Sequence, residues 1–185
     1  MPELEIKRMK EKMEKGVEHL KKELLGIRTG RAHPALVSDI KVDYYGTQTP
    51  MSQLGTISTP DARQIVITPW DKTAVKAVEK AIQASSLGIN PSVDGENIRL
   101  NIPELTGERR VELSKLVKKF SEETRVAIRN LRRDSNDVFR KMEKDGSLSE
   151  DSMHDFLESI QKTTDEHIKK IDEIMVVKEK EILED

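Results

Sequence analysis

From Glu3 to Arg28 the apolar positions Ile6, Met9, Met13, Val17, Leu20, Leu24 and Ile27 recur at three- and four-residue steps between Lys and Glu. That spacing predicts an amphipathic helix. Thr29-Gly30-Arg31 with Pro34 ends it near Arg28, because Gly supplies a turn and Pro cannot continue the ladder. From His33 to Glu104 the period shortens: Ile40–Tyr44, Thr56–Ser58, Gln64–Thr68 and Ile98–Ile102 alternate as half-buried strands do. Between them Asp71 caps a helix carrying Val75, Val78, Ala81 and Ile82 on one face, with Gly88 at its exit. Asp94-Gly95 reads as a hairpin turn pairing Ser92-Val93 with the Ile98 strand. Helical period resumes at Thr106, a cap, and runs to Lys144 on a seam of Leu113, Leu116, Phe120, Thr124, Ala127, Leu131, Ser135, Val138 and Met142. Asp145-Gly146-Ser147 then turns the chain. A last helix, capped by Ser147 with Glu150 or by Ser149 with Ser152, carries Met153, Leu157, Ile160, Thr164, Ile168, Ile171, Met175, Lys178 and Ile182 to about Leu183.

None of the three long helices buries its stripe alone, so the simplest closure is a three-helix bundle. The expected class is α+β with two domains: residues 1–30 and 106–185 form the bundle, and residues 31–105 an inserted small β/α/β domain. The second and third helices would each span roughly 50 to 57 Å at about 1.5 Å per residue, longer than a compact small domain needs. The insertion implies two linkers, near 29–32 and 103–107. Thr29, Gly30 and Ala32 with Pro103, Glu104, Leu105 and Thr106 are expected to act as a hinge, because Gly and Pro mark both changes of direction.

Composition agrees with long exposed helices: of 185 residues, 36% are charged, 35% hydrophobic and only 3% aromatic. The net charge of -2 conceals a division, since residues 105–145 hold 12 Lys and Arg against 8 Asp and Glu, whereas residues 146–185 hold 5 against 12. Without Cys there is no disulfide, thiolate metal site or Cys nucleophile, and a reducing compartment is natural. The N-terminal residues lack the apolar core of a signal peptide and no run reaches membrane-spanning length, so a cytoplasmic protein that engages no membrane is expected.

The search for catalytic chemistry yields little. No phosphate-binding loop, dinucleotide fingerprint or nucleophile elbow is present. His154 and His167, thirteen residues apart on one helix, cannot share a metal and read as surface histidines; His19 and His33 lack ligand-spaced neighbours. No catalytic residue, metal or cofactor is assigned, and the chain is not read as an enzyme. What stands out is the third stretch of helix. Turning about 100° per residue from Leu131, the opposite face collects Lys115, Lys118, Arg125, Arg129, Arg132, Arg133 and Arg140. A stripe of one sign asks for an anion such as phosphate, and guanidinium forks suit phosphate oxygens. Few aromatics argue against a base-stacking platform, which leaves shape and backbone recognition of folded RNA.

Several blocks carry a resemblance: Ile27-Arg28-Thr29-Gly30-Arg31-Ala32, Val42-Asp43-Tyr44-Tyr45-Gly46-Thr47, Val78-Glu79-Lys80-Ala81-Ile82, Leu87-Gly88-Ile89-Asn90-Pro91, Thr106-Gly107-Glu108-Arg109-Arg110 and Arg125 to Asp134. In these blocks, in this order and over its whole length, the chain resembles the bacterial ribosome recycling factor family. The resemblance implies an L-shaped, monomeric molecule about the size of a transfer RNA. It also implies that the molecule binds the post-termination ribosome and, with elongation factor G and that partner's GTP hydrolysis, splits the subunits. It implies rRNA contacts for Arg132 first, then Arg129 and Arg133 of the same block, and for Arg28 and Arg31 beside the hinge; Arg125 joins them as a member of the stripe. Gly107 stands where the family often has a better helix former, which bears only on where that helix begins. From a different class, a helical adaptor matching its arginines to an acidic partner helix also fits the stripe, and salt dependence separates the two.

Overall fold

The computed structural model describes residues 1–184. Its elements in chain order are α1 (Pro2–Leu25), β1 (Lys41–Tyr44), β2 (Thr47–Pro50), β3 (Gly55–Asp61), β4 (Gln64–Pro69), α2 (Val75–Ala84), β5 (Ser92–Asp94), β6 (Asn97–Asn101), α3 (Gly107–Lys144) and α4 (Glu150–Glu184). They fall into two compact units, Met1–Leu24 with Glu112–Glu181, and Leu25–Val111 with the end of α4 from Ile182.

The first unit is three helices. Met9, Met13, Val17, Leu20 and Leu24 of α1 are buried as their spacing predicts. The helix ends at Leu25 rather than Arg28, since Gly26 follows and Gly interrupts helix cheaply. Arg125 against Asp172 and Phe139 stacked on Phe156, with ring centroids 4.9 Å apart, set α4 antiparallel to α3. Ser135 Oγ donates to Glu5 Oε1 at 3.1 Å and Ile128 Cδ1 faces Gly16, so α1 is antiparallel to α3 as well.

The α3 seam differs from expectation. Leu113, Val117, Ser121, Thr124, Ile128, Ser135 and Phe139 are buried, Leu116, Phe120, Leu131, Val138 and Met142 are half-buried flanks, and Ala127 is exposed. The small hydroxyl residues Ser121, Thr124 and Ser135 share the buried face with Leu113, Val117, Ile128 and Phe139. The buried centre is thereby turned by roughly 50° from the predicted one at 100° per residue. A second difference is His167, which is not on the surface: it is 1% exposed, while His154 is solvent-exposed. Its Nδ1–H donates to Thr163 O at 2.7 Å, and Nε2 is buried without a partner. His167 takes the inward position beside half-buried Ile168, as the two share a shoulder of the helix.

The second unit carries a four-stranded antiparallel sheet in the order β3-β4-β6-β5 and a two-stranded hairpin β1-β2. Its core is aliphatic: Val42, Ile65, Ile67, Val78, Ile82, Ile98 and Leu100 are all essentially inaccessible. Ile67 pairs with Ile98 and Ile65 with Leu100, placing the apolar positions of the two central strands on one face. Gly55 is required where it stands, because an added Cβ would lie 2.4 Å from Thr68 O. Strand β2, Thr47–Pro50, is absent from the periodicity because it holds no large apolar residue; the turn Tyr45-Gly46, with φ of 49° and 80°, makes it a hairpin partner of β1. Asp71 caps a short 3-10 turn leading into α2, accepting from Thr73 N at 2.9 Å. Tyr44 donates its hydroxyl to the same carboxylate at 2.6 Å, and this bond, then burial, pushes the Tyr44 phenol up to about 12. The caps predicted at Thr106 and Ser149 form, donated to by Arg109 N at 3.1 Å and Ser152 N at 3.2 Å.

Candidate nucleic-acid interface

The turn of the α3 seam decides what each arginine meets. Measured from the buried centre, Arg132 and Arg125 lie at its border, Arg129 farther round and Arg133 nearly opposite, at 100° per residue. Border residues reach α4, and the outcome depends on which α4 side chain stands there.

Arg125 meets Asp172. Its side chain is 14% exposed, with Nε 2.9 Å and Nη2 2.6 Å from Asp172 Oδ1, and Nη1 3.1 Å from Glu122 Oε2. Burial disfavours its charge, but the bonds to Asp172 and Glu122 outweigh that and raise its pKa above the ordinary value. The Arg125 guanidinium is satisfied within the bundle. Arg129 shares Glu122, with Nη1 3.2 Å from Oε1, and is more open at 39%. Its hydrogen bond to Arg125 first, and that to Arg129 after it, hold the Glu122 carboxyl below its usual range. Outside this group Lys118 faces Glu179 at 3.6 Å and Arg140 faces Asp137 at 4.0 Å. The stripe is therefore not cationic from end to end: acids of α3 and α4 neutralise much of it.

Arg132 and Arg133 differ from the rest. The half-buried Arg132 side chain makes one hydrogen bond among the described residues, Nη1 to the uncharged Gln161 Oε1 at 3.3 Å, and its Nε is buried without a partner. The Arg133 side chain is exposed and makes no hydrogen bond or ion pair with another described residue. Among the described residues neither guanidinium meets a carboxylate, so each keeps a charge that suits an anion such as phosphate.

Arg28 lies in the second unit. Its Nη2 donates to Pro103 O at 3.0 Å, its Nε is buried and unpartnered, and burial, followed by the charge of Arg109, lowers its pKa. Arg31 is exposed, and its backbone N–H donates to Thr29 Oγ1 at 3.3 Å. Thr29, Gly30 and Leu105 are buried, Ala32 half-buried, and Pro103, Glu104 and Thr106 exposed; all seven lie within the unit spanning Leu25–Val111. An open groove of about 830 Å³ between the β1-β2 hairpin and α2 is lined by Lys41, Lys76 and Lys80 together with Asp43 and Glu79, a mixed set without a guanidinium fork.

Sequence reasoning overlooked Asp172, Glu122, Gln161 and Arg109. The Glu122 to Arg125 spacing of three was open to view, since i,i+3 pairs are neighbours on a helix. Asp172 and Gln161 need the α3–α4 register, which no local pattern carries. Among the described residues, no helix is long and apolar enough to cross a membrane.

Comparison with known proteins supplies the remaining frame. Residues 20–183 match the family model described as Ribosome recycling factor. The ribosome-recycling factor of Geobacillus kaustophilus is 54% identical over 179 residues, covering 97% of both chains. That of Syntrophus aciditrophicus is 50% identical over 184 residues, covering the whole of both. A solution structure of a ribosome recycling factor aligns with a TM-score of 0.81 at 47% identity, over 100% of this chain and 98% of that one. A second aligns with a TM-score of 0.70 at 45% identity over 99% of each chain; it is the Thermus thermophilus factor, placed with Escherichia coli elongation factor G on the E. coli post-termination complex.

Proposed function

Because the chain belongs to the ribosome recycling factor family, we propose that it binds the post-termination ribosome and, with elongation factor G and that partner's GTP hydrolysis, separates the subunits for a new round of translation. It is a translation factor and not an enzyme: its part is binding and movement, and the partner's nucleotide supplies the drive. It acts where ribosomes are, in the cytoplasm.

One observation carries the contact chemistry: Arg132 and Arg133 present guanidinium groups without a carboxylate, on a helix whose other arginines are mostly paired. These two meet rRNA phosphates, Arg129 joins by exchanging Glu122 for phosphate, and Arg28 with Arg31 form a second group of contacts. Arg125 acts chiefly inside the bundle. Movement is assigned to the segments Thr29, Gly30, Ala32 and Pro103 to Thr106, which change chain direction and are tied together by the Arg28 to Pro103 bond.

The test is co-sedimentation with post-termination ribosomes, followed by light scattering after elongation factor G and GTP are added. Stoichiometric, steeply salt-dependent binding and partner-dependent loss of 70S scattering are expected. Salt-insensitive binding, or no splitting, contradicts the proposal. A staple across the two linkers should leave affinity nearly intact and abolish splitting.

A further inference from the structure

The stretch around Arg132 is built from both α3 and α4. Across from it on α4, the Gln161 amide is used at both ends: Oε1 accepts from Arg132 Nη1 at 3.3 Å, and Nε2 donates to Asp165 Oδ1 at 2.8 Å. A carboxylate only accepts, so Asp165 settles which end of the amide faces it, and the carbonyl oxygen is left aimed at the guanidinium. Seven residues along α3, the same α4 face offers Arg125 a carboxylate directly, and that arginine is consumed. At Arg132 the acid stands one amide farther back. The guanidinium is oriented and its charge is left available.

We propose that Gln161, itself oriented by Asp165, is a positioning residue: it points Arg132 outward without neutralising it, so that a phosphate of the RNA backbone can take the guanidinium with little lost. This rests on the reading that Arg132 meets RNA. A guanidinium bond to an uncharged amide oxygen at 3.3 Å is longer than the usual N–H···O bond and is given up more readily than an ion pair near 2.6 Å. The buried, unpartnered Nε of Arg132 fits the same design, since the fork is held by packing on its inner edge and by one weak tether on its outer edge.

The experiment measures affinity for post-termination ribosomes across a salt series, with urea unfolding as the control, for Gln161→Glu, Gln161→Ala and Arg132→Ala, singly and in combination. Gln161→Glu keeps the shape and supplies a charge, so it is expected to weaken binding about threefold to fivefold, an exposed ion pair's worth. It should also lower the salt slope by about one phosphate contact, while stability falls slightly, because the new carboxylate loses the amide's bond to Asp165 and faces that acid one turn away. Gln161→Ala is expected to weaken binding about twofold to threefold with the slope unchanged, the worth of one long, exposed hydrogen bond. Neither should have any effect once Arg132 is Ala. If Arg132→Ala weakens binding but the Gln161 variants do not, or if they act equally in the Arg132→Ala background, the positioning role is overturned. If Arg132→Ala itself binds as the parent does, it is the RNA reading of Arg132 that falls.

Discussion

Arg125 and Arg132 lie two turns apart on α3, both at the border of the buried face and both reaching α4, yet they end in opposite conditions. Around Arg125, Asp172 and Glu122 close on the guanidinium from two sides and the side chain is nearly out of solvent. Among the described residues Arg132 and Arg133 pair with no carboxylate, and Arg132 bonds instead to the amide of Gln161. A row of arginines that looks uniform along a helix is thus divided by the helix beside it: one stretch is tied to carboxylates, and the next is not.

The largest expected effect breaks the first stretch. Asp172→Ala leaves a mostly buried guanidinium short of its main partner and should cost about 2 to 3 kcal/mol of stability in urea unfolding, with ribosome affinity nearly unchanged in the folded fraction. Equal loss of affinity and stability would erase the distinction. Next, Arg133→Ala should weaken ribosome binding by about 1 kcal/mol and lower the salt slope by about one, with the unfolding midpoint unmoved. Gly16→Ala probes the α1 side of α3 at the level between the two stretches: the added Cβ meets Ile128 Cδ1 at 3.7 Å, an ordinary contact. It should stabilise by about 0.5 to 1 kcal/mol without altering affinity. The smallest effect sharpens the border between the stretches. Glu122→Gln releases Arg129 and should tighten ribosome binding about twofold. Because the folded Glu122 carboxyl lies below its ordinary value of 4.5, its contribution is present above that pH and fades as pH falls through the lower folded value. Unfolding followed from pH 6 downwards should therefore show a shallower acid limb in Glu122→Gln.

Much of the fold was legible because its helices are long and regularly patterned. Met9, Met13, Val17 and Leu20 lie inside as their spacing says, and the caps at Asp71, Thr106 and Ser149 were readable from residue type. Strand β2 was not, since Thr47-Gln48-Thr49-Pro50 has no hydrophobic alternation and is held by its turn. The α3 seam was read turned by about half a residue step, because Leu131 and Phe120 are the apolar residues there, whereas the buried face takes in the small, polar Ser121 and Ser135. His167 was misplaced for the same reason, as a polar side chain sits at an inner position. Within the candidate site, Arg129, Arg132 and Arg133 could be named from the sequence, but not their division from Arg125. That division depends on Asp172 and Gln161, and which of them faces which arginine is a matter of interhelix register.

The most direct test is the affinity of Arg132→Ala for post-termination ribosomes at physiological salt. A loss of about 1 to 3 kcal/mol in binding, with the unfolding midpoint of the parent protein retained, is the predicted result. Parental affinity would contradict the account, and so would a loss that merely tracks lost stability.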